Sequence, residues 1–355
     1  MSKILRGRVE RYALCVGLWL SACSDSPGTG SSECPILPAD DTSSTPLVLR
    51  QVSSGSYANC GAASDGSVRC WGTSASPVNG VANAVAVTVG GVDACAIRRG
   101  GSVVCWRSSD SGAPISPENI AGLCGATSLS PRDTSQCALM KDGTVQCWGS
   151  LFRGVFGIDS ARAPVPVPGL SNATGVAIGR SGYTCVLQED GSVVCWGGGP
   201  RLGRPGPNLE VVPEIAGATA LSSGSAGQIC AIPEDRSVSC WDHARAPAPL
   251  LGLSDVSSIS ISMGHGCAAL GDGTVRCWGN NETGQLGNGT RDNSDAPVTV
   301  DGVRDAVQAS VGSISSGFGR SCALLANGTA TCWGRLSTWW EPREESTTPV
   351  PIDLR

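Results

Sequence analysis

Fourteen cysteines stand in seven pairs of constant spacing: Cys60/Cys70, Cys95/Cys105, Cys137/Cys147, Cys185/Cys195, Cys230/Cys240, Cys267/Cys277 and Cys322/Cys332. Tryptophan follows every second Cys, at Trp71, Trp106, Trp148, Trp196, Trp241, Trp278 and Trp333. Paired thiols can bind a metal as thiolates or oxidise to a disulfide. Ligands ten positions apart with no nearby His do not match zinc spacing. The pairs therefore read as disulfides, which requires an oxidising compartment. No metal and no cofactor is expected.

Catalytic groups are scarce. The two histidines, His243 and His265, accompany no nucleophile motif, and the sequence holds no phosphate loop, zinc-protease helix motif or calcium loop. Asp142, Asp190 and Asp272 recur like metal ligands, yet each sits where a tight turn needs a side-chain acceptor. No catalytic residue is assigned, and the chain is read as a non-enzyme.

The elements that carry these residues are hairpins. In the stretch Cys137 to Cys147, the loop Lys141-Asp142-Gly143 fits a type I turn followed by a left-handed Gly. Leu139 then faces Val145, and Cys137 faces Cys147. The Cys pair falls at a non-hydrogen-bonded position, where Cα atoms approach to about 4.5 Å. Gly holds the third loop position in six units, and Arg236 is the exception, where a strained and distorted turn is expected. Trp148 points to the face opposite Cys147. Apolar residues on both faces describe sheets covered on both sides.

Successive hairpins begin between 35 residues (Cys60 to Cys95) and 55 residues (Cys267 to Cys322) apart, so the hairpin is fixed and the connection varies. Between them run a Pro-containing segment (Pro77-Val78, Pro114-Ile115 and Pro297-Val298 among others) and a small-residue segment such as Gly175-Val176-Ala177-Ile178 or Val256 to Ile261. Pro is tolerated on an edge strand, and small side chains suit the crowded centre of a ring. Four strands in each of seven units give an all-β, seven-bladed propeller with four-stranded antiparallel blades. Two closures remain open: Leu47-Val48-Leu49 completes the last blade, or the seventh blade is self-contained.

Residues 1–22 read as a signal segment: Arg6, Arg8 and Arg11 precede the apolar run from Ala13 to Leu20. Leu20-Ser21-Ala22-Cys23 resembles a bacterial lipobox, which implies cleavage before Cys23 and lipidation of its sulfur. Residues 23–46, rich in Ser, Pro, Gly and Thr, form a flexible tether. The propeller spans 47–355. Cys34 and Cys124 either pair with each other, tying the tether to the ring, or stay independent. The net charge of −5 gives no footprint for nucleic acid.

The tail of the sixth hairpin, Trp278-Gly279-Asn280-Asn281-Glu282-Thr283-Gly284-Gln285-Leu286-Gly287, resembles the signature of the regulator of chromosome condensation repeat family. That resemblance implies a seven-bladed propeller over residues 47–355. Elsewhere it is partial: Trp148-Gly149 leads only to Phe156-Gly157, and Trp106 and Trp241 lack the following Gly. His265 alone keeps the family's His before the inner hairpin strand, which implies a structural hydrogen bond. The founding member's nuclear exchange-factor role does not transfer, so no small GTPase is expected. The expected function is a monomeric, envelope-anchored binding scaffold, periplasmic or on the cell surface, for a protein or surface polymer. Trp339 and Trp340, then Phe152 and Phe156, are its candidate contacts. The alternatives are an inhibitor or regulator of enzymes, by fold analogy with a secreted family propeller that inhibits β-lactamases, or a cryptic hydrolase.

Overall fold

One hydrogen bond closes all seven hairpin turns. In the computed structural model, which describes residues 46–72, 75–91, 93–107, 117–132, 135–150, 163–179, 182–197, 208–224, 227–242, 244–315, 317–337 and 344–354, Gly143 has φ 78° and donates to the Met140 carbonyl at 3.0 Å. The carboxylate of Asp142 accepts from the Thr144 amide at 3.0 Å and its hydroxyl at 2.6 Å. The carbonyl of that same third residue then accepts the first inner-strand N–H of the next unit: Ala173 to Gly143 at 2.9 Å, Ala306 to Gly273 at 2.9 Å. A Cβ on Gly143 would lie 2.4 Å from the Ser171 carbonyl oxygen. Glycine is thus needed for its φ and for the close approach of the next unit.

Arg236 departs from the expected distortion. It adopts φ 59°, donates to the Pro233 carbonyl at 3.0 Å and accepts from Val256 at 3.0 Å, the geometry of the other six. Its guanidinium pairs with Asp255 at the surface.

The hairpins extend into seven four-stranded antiparallel sheets, each contiguous in sequence: 49–77, 84–119, 126–166, 173–211, 218–249, 256–299 and 306–351. The register matches the sequence reading, with Cys137 opposite Cys147 and Leu139 opposite Val145. In every blade the two sulfurs stand at disulfide distance, 2.01–2.13 Å. The Cα separations are shorter than the expected cross-strand value. They are 4.0 Å for Cys60–Cys70, Cys95–Cys105 and Cys322–Cys332. They are 4.1 Å for Cys137–Cys147, Cys185–Cys195, Cys230–Cys240 and Cys267–Cys277. On the third strand, Cys70, Cys105 and Cys240 are half-buried, whereas Cys147, Cys195, Cys277 and Cys332 are buried. Such pairs in every blade point to an oxidising, extracytoplasmic setting.

Outer strands are short where Pro or a long connection intervenes. In blade 2 the outer strand among the described residues is Glu118–Asn119, and Pro114-Ile115 lies outside them. Closure uses no exchanged strand. Blade 7 is self-contained, and Leu49 donates to the Gly328 carbonyl at 2.7 Å, repeating the bond seen between all other neighbours.

Each apolar cluster lies between two blades and mixes the disulfide of one with the Trp of the next. Trp106 of blade 2 packs with Cys60 and Cys70 of blade 1, and Trp148 with Cys95 and Cys105. Trp196 of blade 4 packs with Cys137 and Cys147 of blade 3, and Trp241 with Cys185 and Cys195. Trp278 packs with Cys230 and Cys240, and Trp333 with Cys267 and Cys277. Trp71 of blade 1 completes the circuit against Cys322 and Cys332 of blade 7. The Cys-Trp dipeptide thereby serves two interfaces at once, because neighbouring residues on a strand face opposite ways.

Candidate interaction site

Length variation is confined to one end of the blades. The second-to-third-strand turns are constant, whereas third and fourth strands are joined by anything from the 72–74 link to the long 150–164, 197–209 and 280–293 segments. Connections of this kind carry recognition on rigid scaffolds.

The 280–293 connection shows how one is built. Asn281 is fully buried. Its amide donates to the carbonyls of Thr290 and Asp292, both at 3.0 Å, and its side-chain oxygen accepts from Leu286 at 2.8 Å. The loop closes on this one side chain. Gln285 accepts from the Thr283 amide and hydroxyl, while its backbone carbonyl receives the Trp333 indole N–H at 2.9 Å and the Ser321 hydroxyl at 2.8 Å. Leu286 fills the core between blades 6 and 7. Arg291 reaches Glu345 on the outer strand of blade 7 at 2.8 Å. The Gly-Gln-Leu-Gly tail is therefore an interblade strap.

His265 belongs to the same brace. Its Nε2 lies 3.0 Å from the Ser321 hydroxyl and its Nδ1 2.9 Å from that of Ser262. Because Ser321 donates onward to Gln285, Nε2–H donates to Ser321 and Nδ1 accepts from Ser262. Burial pushes the imidazole pKa down to about 4, a hydrogen bond to the Arg320 backbone acting in the opposite sense. A neutral, doubly bonded ring is a structural part, as the sequence implied.

Other blades replace this His. Asp93 opposite Arg107, Ser135 opposite Gly149 and Arg320 opposite Gly334 hold the position that His265 holds opposite Gly279. Burial raises the Asp93 pKa, against the lowering effect of Arg107, 3.3 Å away. In blade 4, Tyr183 takes the Trp241 indole N–H at 3.1 Å. These side chains sit on separate blades and bond locally, so they do not converge on one reacting atom.

The axis of the ring holds a cavity of about 310 Å³, walled by the inner strands of all seven blades. Among the described residues its lining contains no Asp, Glu, His, Lys or Arg. Side chains on the wall cap the neighbouring inner strand. Ser53 accepts from the Val89 amide at 2.9 Å, Ser130 from Ile178 at 3.0 Å and Ser260 from Val311 at 3.0 Å. Across the closing seam Gln308 accepts from Val52 at 3.0 Å and Ser310 from Ser54 at 2.8 Å. The alternating Ser and Gln of the inner strands were the sequence signal for this belt, missed because alternation alone does not say which edge faces which blade.

Of the residues singled out from sequence, Cys23, Cys34, Phe152, Phe156, His243, Trp339 and Trp340 lie outside the described residues. Cys124 is disulfide-bonded. Asp142, Asp190 and Asp272 are turn residues, their pKa values lowered chiefly by side-chain hydrogen bonds from Thr144, Ser192 and Thr274.

Residues 256–285 and 272–318 match two models of the Regulator of chromosome condensation (RCC1) repeat. Residues 256–318 carry the sequence pattern of this repeat. The matched stretch is blade 6 with its strap, which holds the buried Asn281 network, and the first strand of blade 7. Among solved structures, the propeller is similar to Prp20p of Saccharomyces cerevisiae (TM-score 0.65, 18% identity, 86% of this chain and 87% of that one). The same yeast protein with Kap60 bound gives a TM-score of 0.67 at 16% identity, covering 94% and 91%. The ectodomain of the Arabidopsis thaliana receptor kinase ACR4 gives 0.52 at 18% identity, covering 84% and 100%. At these identities the likeness is one of fold. No protein in the curated set matches the sequence.

Proposed function

We propose that this repeat propeller is a non-catalytic binding scaffold, held at a bacterial cell envelope through lipid on Cys23, with its variable rim turned to a protein or surface-polymer partner. The observation that carries this reading is that the long, variable connections, chiefly those between third and fourth strands, lie at one end of the blades, whose other end is invariant. A rigid ring with one adaptable rim is suited to recognition. Prp20p, a repeat propeller of the same fold, has binding properties toward Gsp1p and histones. Those partners are not carried over, because this chain is acidic and its cysteines are paired. On this reading Trp339 and Trp340 anchor the partner, with Phe152 and Phe156 as secondary contacts, residues 1–22 are removed, and Cys34 pairs with Cys124 to tie the tether to the ring.

The test is affinity capture from membranes with the intact anchored protein and a Trp339→Ala/Trp340→Ala variant. The expected result is a partner recovered by the first and lost by the second. Equal recovery by both removes that loop as the contact, and release of the protein by high salt alone rules out the lipid anchor. Should the captured partner be an enzyme whose activity falls on binding, the scaffold is an inhibitor.

A further inference from the structure

The hairpin-turn end of the ring is also the end where the preceding chain arrives. Leu49 donates to the Gly328 carbonyl at 2.7 Å and Ser64 to that of Val48 at 2.8 Å, so residues 46–49 enter beside the turns of blades 7 and 1. A second attachment lies at the same end. Cys124 is exposed and disulfide-bonded, in the connection from blade 2 to blade 3. Its neighbours fix its place. The Gly125 carbonyl accepts from Lys141 at 2.8 Å in the turn of blade 3, and Ala126 donates to the Gly101 carbonyl at 3.0 Å in the turn of blade 2.

The partner of Cys124 follows by count. Seven blade bridges use fourteen of the 18 cysteines, which leaves Cys15, Cys23 and Cys34, all before the ring. On the envelope-anchor reading Cys15 is removed with residues 1–22 and Cys23 carries lipid, so Cys34 is the partner.

We infer that this disulfide sets how the ring sits on its membrane: the turn end faces the bilayer, and the variable rim faces away from it. The inference rests on the envelope-anchor reading and adds an orientation to it. Tether length decides. From Cys23 to residue 46 is 23 positions, and a flexible chain of that length has a mean reach of roughly 24–29 Å. A six-residue blade strand such as Ala330–Arg335 is about 20 Å long, so that tether alone would let the ring turn either end to the bilayer. From Cys23 to Cys34 is 11 positions, with a mean reach of roughly 17–20 Å. With the rim facing the bilayer, this shorter chain would have to pass the full blade height and the rim connections besides. The opposite arrangement needs no such stretch. The charges at the turn end agree. The turn loops on either side of Cys124 open on Arg99 and Lys141, whereas those of blades 4 and 5 open on Glu189 and Glu234. Cations beside the staple suit anionic head groups.

Of the two lysines, Lys3 lies in the signal segment and Lys141 is exposed at the turn end, so an amine-reactive fluorophore reports that end. A Lys141→Arg/Glu282→Lys variant moves the reporter to the exposed strap position of blade 6, on the rim. Any label on the terminal amine is common to both proteins. The test places each anchored protein in vesicles of phosphatidylcholine and phosphatidylglycerol that carry a nitroxide on the head group. Quenching of the Lys141 label is expected to be about twofold stronger or more, and adding Cys34→Ser/Cys124→Ser to both proteins should abolish the difference. Equal quenching in the disulfide-bonded proteins, or stronger quenching of the rim label, overturns the orientation. A difference that survives loss of the disulfide overturns its part in setting it. Protein that never enters the vesicles defeats the anchor reading itself, before any quenching is measured, and the inference with it.

Discussion

The indole N–H of Trp71 donates to the sulfur of Cys332 at 3.4 Å, across 261 positions of sequence and across the seam where the ring closes. One residue belongs to the first blade and the other to the last. The contact is the closing member of a sevenfold series in which each Trp covers the disulfide of the blade before it, so the seam is built like any other interface.

Trp71→Ala should therefore cost as much as loss of a buried Trp inside a core, roughly 3–5 kcal/mol. Trp71→Phe, which keeps most of the packing and loses the N–H, should cost less. Chemical denaturation of both variants, read as midpoint shifts at constant slope, checks the order.

The hairpin glycines and Arg236 should respond in opposite directions. Gly143→Ala places a Cβ 2.4 Å from the Ser171 carbonyl oxygen and should destabilise by more than about 1 kcal/mol. Arg236→Gly relieves a left-handed non-Gly residue, worth roughly 1–2 kcal/mol, and gives up only a solvent-exposed ion pair. Thermal melts in which Arg236→Gly loses as much stability as Gly143→Ala would contradict this account.

Stability should fall as the solution is acidified from about pH 6.5 toward 4. The unfolded chain protonates His265 near its ordinary value of 6.5, while the folded chain resists until about 4. Across that window the unfolded state binds the extra proton, so the contribution is whole above 6.5 and lost below 4, roughly 3 kcal/mol in all. The turn carboxylates Asp142, Asp190, Asp235 and Asp272 have lowered pKa values. Their contribution is present above the unfolded carboxylate value and lost only at more acid pH. A His265→Gln variant should flatten the upper window and leave the lower one.

Replacing Cys267 and Cys277 together with Ala should lower stability by roughly 2–3 kcal/mol through the released loop, with a further loss where Trp333 packs on that pair. Guanidinium titrations of the variant measure the sum.

Alkylation of the unreduced protein should label neither Cys34 nor Cys124. Two labelled positions by mass spectrometry would show that the tether is not tied to the ring through them.

Much of the fold was legible because it is local. A Cys-to-Cys spacing of ten with a Gly at the third loop position dictates a hairpin register on its own, and seven copies dictate seven blades. The compartment follows from the same cysteines, and the strap of blade 6 was recognisable from Trp278 to Gly287. What the sequence could not decide is how non-neighbouring parts meet. Whether Leu47-Val48-Leu49 lends a strand to blade 7 depends on how the first and last blades meet. The alternation of Ser258 and Ser260 shows only that they share a face. Packing against Ala309 and Val311, about fifty residues on, makes them caps, because a hydrogen bond needs its partner's position as well as its own.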